Sequence, residues 1–226
     1  MRTLGLIGGT SWVSTQQYYL RLNQIVAERL PGHNARLAMW STNFAEFHGE
    51  MDWEQRYAHH LKAAKGLAAM GAEGLVICAN TLHRFADQLV QDQDLPIVNL
   101  IDAVGDEIKA QGLATAGILG TIPTMTEDFY AGRLLGHGIK TLVPDEAGRE
   151  EINRTIYEEL TRFNFLPATR SYYAAQIQSL AARGAECVIL GCTEIPLLME
   201  GMAASVPLLD TIEVHCQAAI SFALSG

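Results

Sequence analysis

No apolar stretch in this sequence approaches the ~20 residues that a bilayer-spanning helix requires. Positive charge is scarce as well: 16 Lys and Arg stand against 25 Asp and Glu, a formal net charge of −9. A nucleic-acid binder needs a basic stripe to neutralise phosphates, and an anionic membrane surface recruits the same kind of stripe, so neither is expected as a partner. Cysteine is limited to Cys78, Cys187, Cys192 and Cys216, with no CxxC pair among them. A disulfide framework and a bound metal are therefore not expected. No GxGxxG fingerprint marks a dinucleotide site. Only 7 prolines accompany 20 glycines, a composition of many turns without Pro-rich disorder. Met1-Arg2-Thr3-Leu4-Gly5 runs into a strand pattern without the layout of a signal peptide, so a reduced, soluble, cytoplasmic protein is expected.

What is present is a recurrence of short apolar runs, each followed by a helix-like segment. The runs are Leu4–Ile7, Leu37–Trp40, Leu75–Cys78, Ile97–Leu100, Ala116–Leu119, Thr141–Val143, Cys187–Leu190 and Leu208–Leu209. Runs this apolar suit parallel strands covered on both faces, and amphipathic segments such as Tyr57–Met70, Ile152–Thr161 and Tyr172–Arg183 lie between them. The fold class is α/β. The 226 residues, 49% hydrophobic and 18% charged, suffice for one large domain or two lobes.

An internal repeat favours two lobes. Gly5-Leu6-Ile7-Gly8 returns as Gly117-Ile118-Leu119-Gly120, Gly71-Ala72-Glu73 as Gly184-Ala185-Glu186, and Leu95-Pro96-Ile97-Val98 as Val206-Pro207-Leu208-Leu209, offset by 112, 113 and 111 residues. The expected architecture is two similar, pseudo-two-fold-related lobes, each a mainly parallel sheet flanked by helices. Residues 1–98 plus 209–226 form the first lobe and 99–208 the second, with Asp210–Leu224 folding back as a helix onto the first. Ligands of such sheets bind beyond the carboxyl ends of strands, so the site is expected in the interlobe cleft.

In register, the repeat sets Ile77-Cys78-Ala79-Asn80-Thr81 against Leu190-Gly191-Cys192-Thr193-Glu194. Each strand stops in a small, hydroxyl-bearing turn before a helix, a place where free N–H groups and the helix dipole suit a carboxylate. The same setting is expected to lower the pKa of the Cys192 thiol. Gly8-Gly9-Thr10-Ser11 and Gly120-Thr121-Ile122-Pro123-Thr124 supply further donors, Thr10, Thr121 and Thr124 among them. Cys187 and Cys216 lie in apolar segments and read as inert core residues. His59-His60 reads as a solvated helix face, and His83 as either a cap or a site residue.

These residues resemble the aspartate/glutamate racemase family, in particular its aspartate-racemase branch. The resemblance rests on Gly5-Leu-Ile-Gly-Gly-Thr-Ser-Trp12, Asn80-Thr81-Leu82-His83, Leu119-Gly-Thr-Ile-Pro-Thr124, Asp128-Phe-Tyr130 and Gly191-Cys-Thr-Glu194, which span nearly the whole chain in order. It implies cofactor-independent racemisation of an amino acid, with one thiolate removing the α-proton and a second thiol reprotonating the opposite face. It also implies that Asn80, Thr81 and Thr193 hold the substrate carboxylate, and Glu194 is a further substrate-binding candidate. A homodimer is the expected assembly.

Two departures stand out. The cysteine that the family places before Asn-Thr is Ala79 here, and the internal repeat also aligns Ala79 with Cys192. Cys78 is adjacent, but successive strand residues face opposite ways, so it reads as core, with a substitute acid/base as the alternative. The Lys that acid-specific members carry before Ile-Asn is Glu151, which puts an acidic substrate in doubt; the alternative is a solvated residue of a helix first turn. The function expected is an amino-acid racemase or epimerase working through Cys192. The alternatives are a one-thiol decarboxylase, lyase or isomerase of the same superfamily, and a catalytically dead carboxylate-binding relative.

Overall fold

The computed structural model describes residues 1–43, 45 and 51–225. In chain order the elements are β1 (Leu4–Gly8), α1 (Trp12–Arg29), β2 (Leu37–Ser41), α2 (Trp53–Ala69), β3 (Gly74–Ile77), a 3-10 turn (Thr81–Phe85), α3 (Ala86–Asp92), α4 (Leu100–Ala110), β4 (Thr115–Gly120), α5 (Ile122–Thr126), α6 (Asp128–Gly136), β5 (Lys140–Leu142), α7 (Glu146–Glu158), a second 3-10 turn (Leu160–Arg162), α8 (Pro167–Ala182), β6 (Cys187–Gly191), α9 (Ile195–Leu198), β7 (Leu208–Asp210) and α10 (Thr211–Leu224). The chain divides into two compact units, Met1–Leu100 with His215–Gly226, and Ile101–Val214.

The first unit holds a parallel sheet of order β2-β1-β3. β1 and β3 are buried throughout, as the apolar runs require, while edge strand β2 alternates in exposure. Local chemistry sets the helix starts. Ser11 accepts from Ser14 N at the head of α1, and Asp52 and Gln55 form a reciprocal capping box at the head of α2. The last residues of α10 belong to this unit, where Ala223 O accepts from Arg2 N at 2.8 Å.

The second unit holds a parallel sheet of order β5-β4-β6-β7. Its register reproduces that of the first sheet residue for residue. Ile7 pairs with Ile77, and 112 and 113 residues further on Leu119 pairs with Leu190. Side-chain bonding repeats too: Glu73 Oε2 accepts from Thr3 N at 2.8 Å, and Glu186 Oε2 accepts from Thr115 N at 2.8 Å.

Several expectations need correction. Ile97–Leu100 is not a strand: it makes one bridge, Leu75 to Ile97, and Leu100 opens α4. The equivalent segment of the second unit forms β7, whose Val188–Leu208 pairing corresponds to that bridge. A lobe boundary at 208/209 cuts through β7; the second unit runs on to Val214 because β7 pairs with β6. Ile152–Thr161 is not one helix, since α7 ends at Glu158 and a 3-10 turn follows. His60 is not solvated. It is fully buried, with Nδ1 2.8 Å from Arg56 O and its ring against Phe85, because α2 packs this face on the core.

Candidate active site

In the second unit, β4 and β6 end side by side on Gly120 and Gly191. A Cβ on Gly120 would lie 2.9 Å from Gly191 O, and one on Gly191 would lie 3.0 Å from Leu119 O, so only glycine lets the strand ends approach this closely. Thr124 lies over both glycines and its hydroxyl is 3.0 Å from that of Thr121. The turn between them is held by Asn153, whose Oδ1 accepts from Ile122 N at 3.0 Å.

Cys192 follows Gly191 directly. Cys192 as a residue is half-buried, whereas Cys78, Cys187 and Cys216 are buried. The Cys192 S–H donates to Glu194 Oε2 at 3.1 Å, and the same oxygen accepts from Thr193 Oγ1 at 2.9 Å. Glu194 is 1% exposed, so this carboxylate is presented to its two neighbours and not to bulk water. Burial, then the Glu194 charge and the hydrogen bond to it, push the Cys192 thiol well above its ordinary value; the backbone N–H groups of Glu194 and Thr193 act in the opposite direction. The expected lowering of this pKa is thus overturned. The strand-end amides are present, but α9 is a four-residue helix with a weak dipole, and burial of the thiol together with the Glu194 carboxylate outweighs it.

In the first unit, the corresponding strand ends carry the Gly8–Ser11 turn and the Cys78–Thr81 segment. Gly9 has φ +87°, and its N–H donates to Thr15 Oγ1 at 2.8 Å. Ser14 Oγ donates to Cys78 O at 2.8 Å, tying α1 to the end of β3. Thr10 and Asn80 are buried and Thr81 is half-buried. Carried two residues beyond the Ile77–Leu190 equivalence, the matched registers put Ala79 at the position of Cys192. Cys78 has no exposed surface, and burial pushes its thiol pKa strongly upward.

His83 is a backbone pin. Its Nδ1–H donates to Ala79 O at 2.8 Å, and Nε2 accepts from Leu100 N at 3.1 Å, which caps the first turn of α4. Glu151 lies on α7 with its carboxylate forked on Arg154, at 2.9 Å to Nε and 2.7 Å to Nη2, and this pairing holds its pKa below the ordinary carboxylate range. Sequence reasoning gave no role to Thr15, Thr42 and Asn153, which bond Gly9 N, Gly8 O and Ile122 N at the strand-end turns, and no short-range motif marks such residues. His59, read as solvated, is half-buried with Nε2 2.9 Å from Thr42 Oγ1.

The same architecture recurs in known proteins. The model of the Asp/Glu/Hydantoin racemase family matches residues 7–219, and the chain belongs to that family. A candidate Asp/Glu racemase from Yersinia pestis is 42% identical, with a TM-score of 0.91, over 99% of this chain and 100% of that one. An aspartate racemase homologue from Pyrococcus horikoshii is 36% identical, with a TM-score of 0.85, over 99% of both chains. Glutamate racemase from Hydrogenobaculum is 27% identical over 153 residues, which cover 67% of this chain and 57% of that protein, so the match spans little more than half its length. No helix among the described residues is long and apolar enough to cross a membrane.

Proposed function

We propose that the protein is a cofactor-independent amino-acid racemase or epimerase in which Cys192 carries the α-proton on one face of the substrate. The observation that carries this reading is the thiol of half-buried Cys192 beyond the end of β6, hydrogen-bonded to the buried Glu194 carboxylate in a chain of the racemase family. The α-hydrogen of an amino acid is a poor acid, and its removal needs a strong base with no competing water. A thiol kept protonated by burial and by a neighbouring carboxylate meets that need once its proton moves to Glu194. The thiolate then takes the α-proton, the electron pair stays on the substrate as carbanion character, and return of a proton to carbon completes the cycle. Donors aimed at the substrate carboxylate stabilise that carbanion. Thr193, Thr121 and Thr124 are the candidates in the second unit, and Thr10, Asn80 and Thr81 in the first.

One observation favours a second reading. Ala79 stands where the repeat calls for the partner thiol, and alanine neither accepts nor donates a proton. A one-sided reaction, such as proton exchange with retention or protonation after decarboxylation, needs a thiol at one face only. In the racemase reading, a second group or water serves the other face. An amino acid or related carboxylate as small-molecule substrate, a homodimer and a cytoplasmic setting belong to the same proposal. Proton exchange in D₂O with chirality analysis tests it: deuterium incorporation with inversion supports the racemase, and incorporation with full retention supports the one-sided enzyme.

A further inference from the structure

We propose that His59 is a positioning residue that sets the Gly8–Thr10 turn through Thr42, and thereby sets how tightly the substrate carboxylate is held. The proposal rests on the reading that this turn binds that carboxylate. His59 stands on the second turn of α2, half-buried, with Nε2 2.9 Å from Thr42 Oγ1. Thr42 is buried just beyond the end of β2, and its N–H donates to Gly8 O at 3.0 Å. Gly9 passes so near that a Cβ on it would lie 2.1 Å from Thr42 N and 2.2 Å from Thr42 O.

The turn is therefore gripped from two sides. On one side, Gly9 N–H is bonded to Thr15 Oγ1, and that hydroxyl in turn donates to Ser11 O at 2.9 Å, so this jaw is part of α1. On the other side stands the backbone of Thr42, a residue outside regular structure whose side chain His59 holds. Loss of the imidazole frees that side chain and lets the Thr42 backbone shift against Gly9. The turn's donors then move relative to any carboxylate bound on them. A displacement well below 1 Å suffices to weaken oriented hydrogen bonds, while Cys192, on another sheet, keeps its own partners.

The test compares the unmodified protein with His59→Ala, His59→Gln, Thr42→Val and the His59→Ala/Thr42→Val double variant. An equimolar mixture of the twenty proteinogenic amino acids in D₂O first identifies the one whose α-proton exchanges fastest, and that amino acid is then titrated. The expected result is a KM raised about three- to tenfold by His59→Ala and by Thr42→Val, the worth of one net hydrogen bond, with kcat within about twofold. The double variant is expected to be no worse than either single one, and His59→Gln, which keeps a donor and an acceptor, to recover most of the affinity. Deuterium uptake at the amides of residues 5–15 is measured in parallel, in the Cys192→Ala background, and is expected to rise on loss of the imidazole. Additive effects, an unchanged KM, or unchanged uptake in residues 5–15 would overturn the clamp. If no amino acid exchanges, the functional reading fails, and the uptake measurement alone decides the clamp.

Discussion

Cys192 Sγ lies 3.1 Å from Glu194 Oε2, and this contact adds to the burial of the sulfur in keeping its proton on. A carboxylate beside a buried thiol disfavours the thiolate, so Cys192 rests as S–H. The pair is one proton transfer away from thiolate and carboxylic acid.

Cys192→Ser and Cys192→Ala are expected to lower α-proton exchange by at least ~10²-fold, because a hydroxyl is too weak an acid to supply an oxyanion base near neutrality. Cys187→Ala and Cys216→Ala are expected to retain turnover, as both thiols are buried. Exchange rates of the four variants at one pH decide the matter. Wild-type rates in Cys192→Ala would remove the thiol from the mechanism.

The Glu194 charge raises the Cys192 pKa, so removing that charge lowers it. Glu194→Gln is therefore expected to move the pH profile of Cys192 alkylation by iodoacetamide to lower pH while slowing proton exchange, because the proton acceptor is lost. In the unmodified protein, alkylation should be slow at pH 7 and rise only above the ordinary thiol value of 9.0. Rapid alkylation at pH 7 would show a resting thiolate and contradict the pairing.

Much of this arrangement was legible in the sequence. The strand ends and the matched registers, which make Ala79 the equivalent of Cys192, follow from glycine-bounded apolar runs and three co-ordered repeats. The pKa of Cys192 was not, because it depends first on how deeply the thiol itself is buried and then on the Glu194 carboxylate placed beside it, and burial and rotamer leave no mark in sequence. His60 was misread for a related reason. A polar residue on an amphipathic helix is assigned to the solvent face by default, whereas here the ring packs on Phe85 and bonds back to Arg56 O. Ile97 has strand chemistry and a strand partner, yet its segment makes a single bridge to Leu75, whereas the equivalent segment of the second unit pairs three residues with β6.

Ala79→Cys is expected to add two-sided racemisation of whichever amino acid already exchanges, by about 10²–10⁴-fold if the new thiol is placed as Cys192 is. Chiral chromatography of the product after a fixed time measures it. No change in inversion rate would show that the equivalence of the two strand ends does not extend to their chemistry.

Burial lowers the pKa of His60 and of His215 from 6.5 to about 4. Each ring is neutral in the folded protein at pH 5 but protonated in the unfolded chain, so stability falls as pH drops from 6.5 towards 4 and has no such slope above 7. The loss amounts to about 3 kcal/mol for each ring by pH 4. Urea denaturation from pH 7 to 4.5 is expected to show this slope, reduced in His60→Gln and in His215→Gln. A slope unchanged in both variants would contradict it.

Glu151 is expected to disfavour an acidic substrate side chain, so that neutral or cationic amino acids exchange faster than aspartate or glutamate. Arg154 pairs with this exposed carboxylate and mutes its charge, so the preference should be less than about tenfold. Glu151→Lys should then gain aspartate or glutamate exchange, and Glu151→Gln should change stability by less than about 0.5 kcal/mol. Efficient turnover of L-aspartate by the unmodified protein, indifferent to Glu151→Gln, would place Glu151 outside substrate selection.

The most direct measurement is the incorporation of solvent deuterium at Cα across a panel of L- and D-amino acids, with no cofactor added, for the unmodified protein and for Cys192→Ala. The expected result is deuterium at Cα of at least one amino acid in the unmodified protein and its loss in Cys192→Ala, with product chirality separating inversion from retention. Equal incorporation in both proteins, or none with any amino acid of the panel, would contradict α-proton transfer by Cys192.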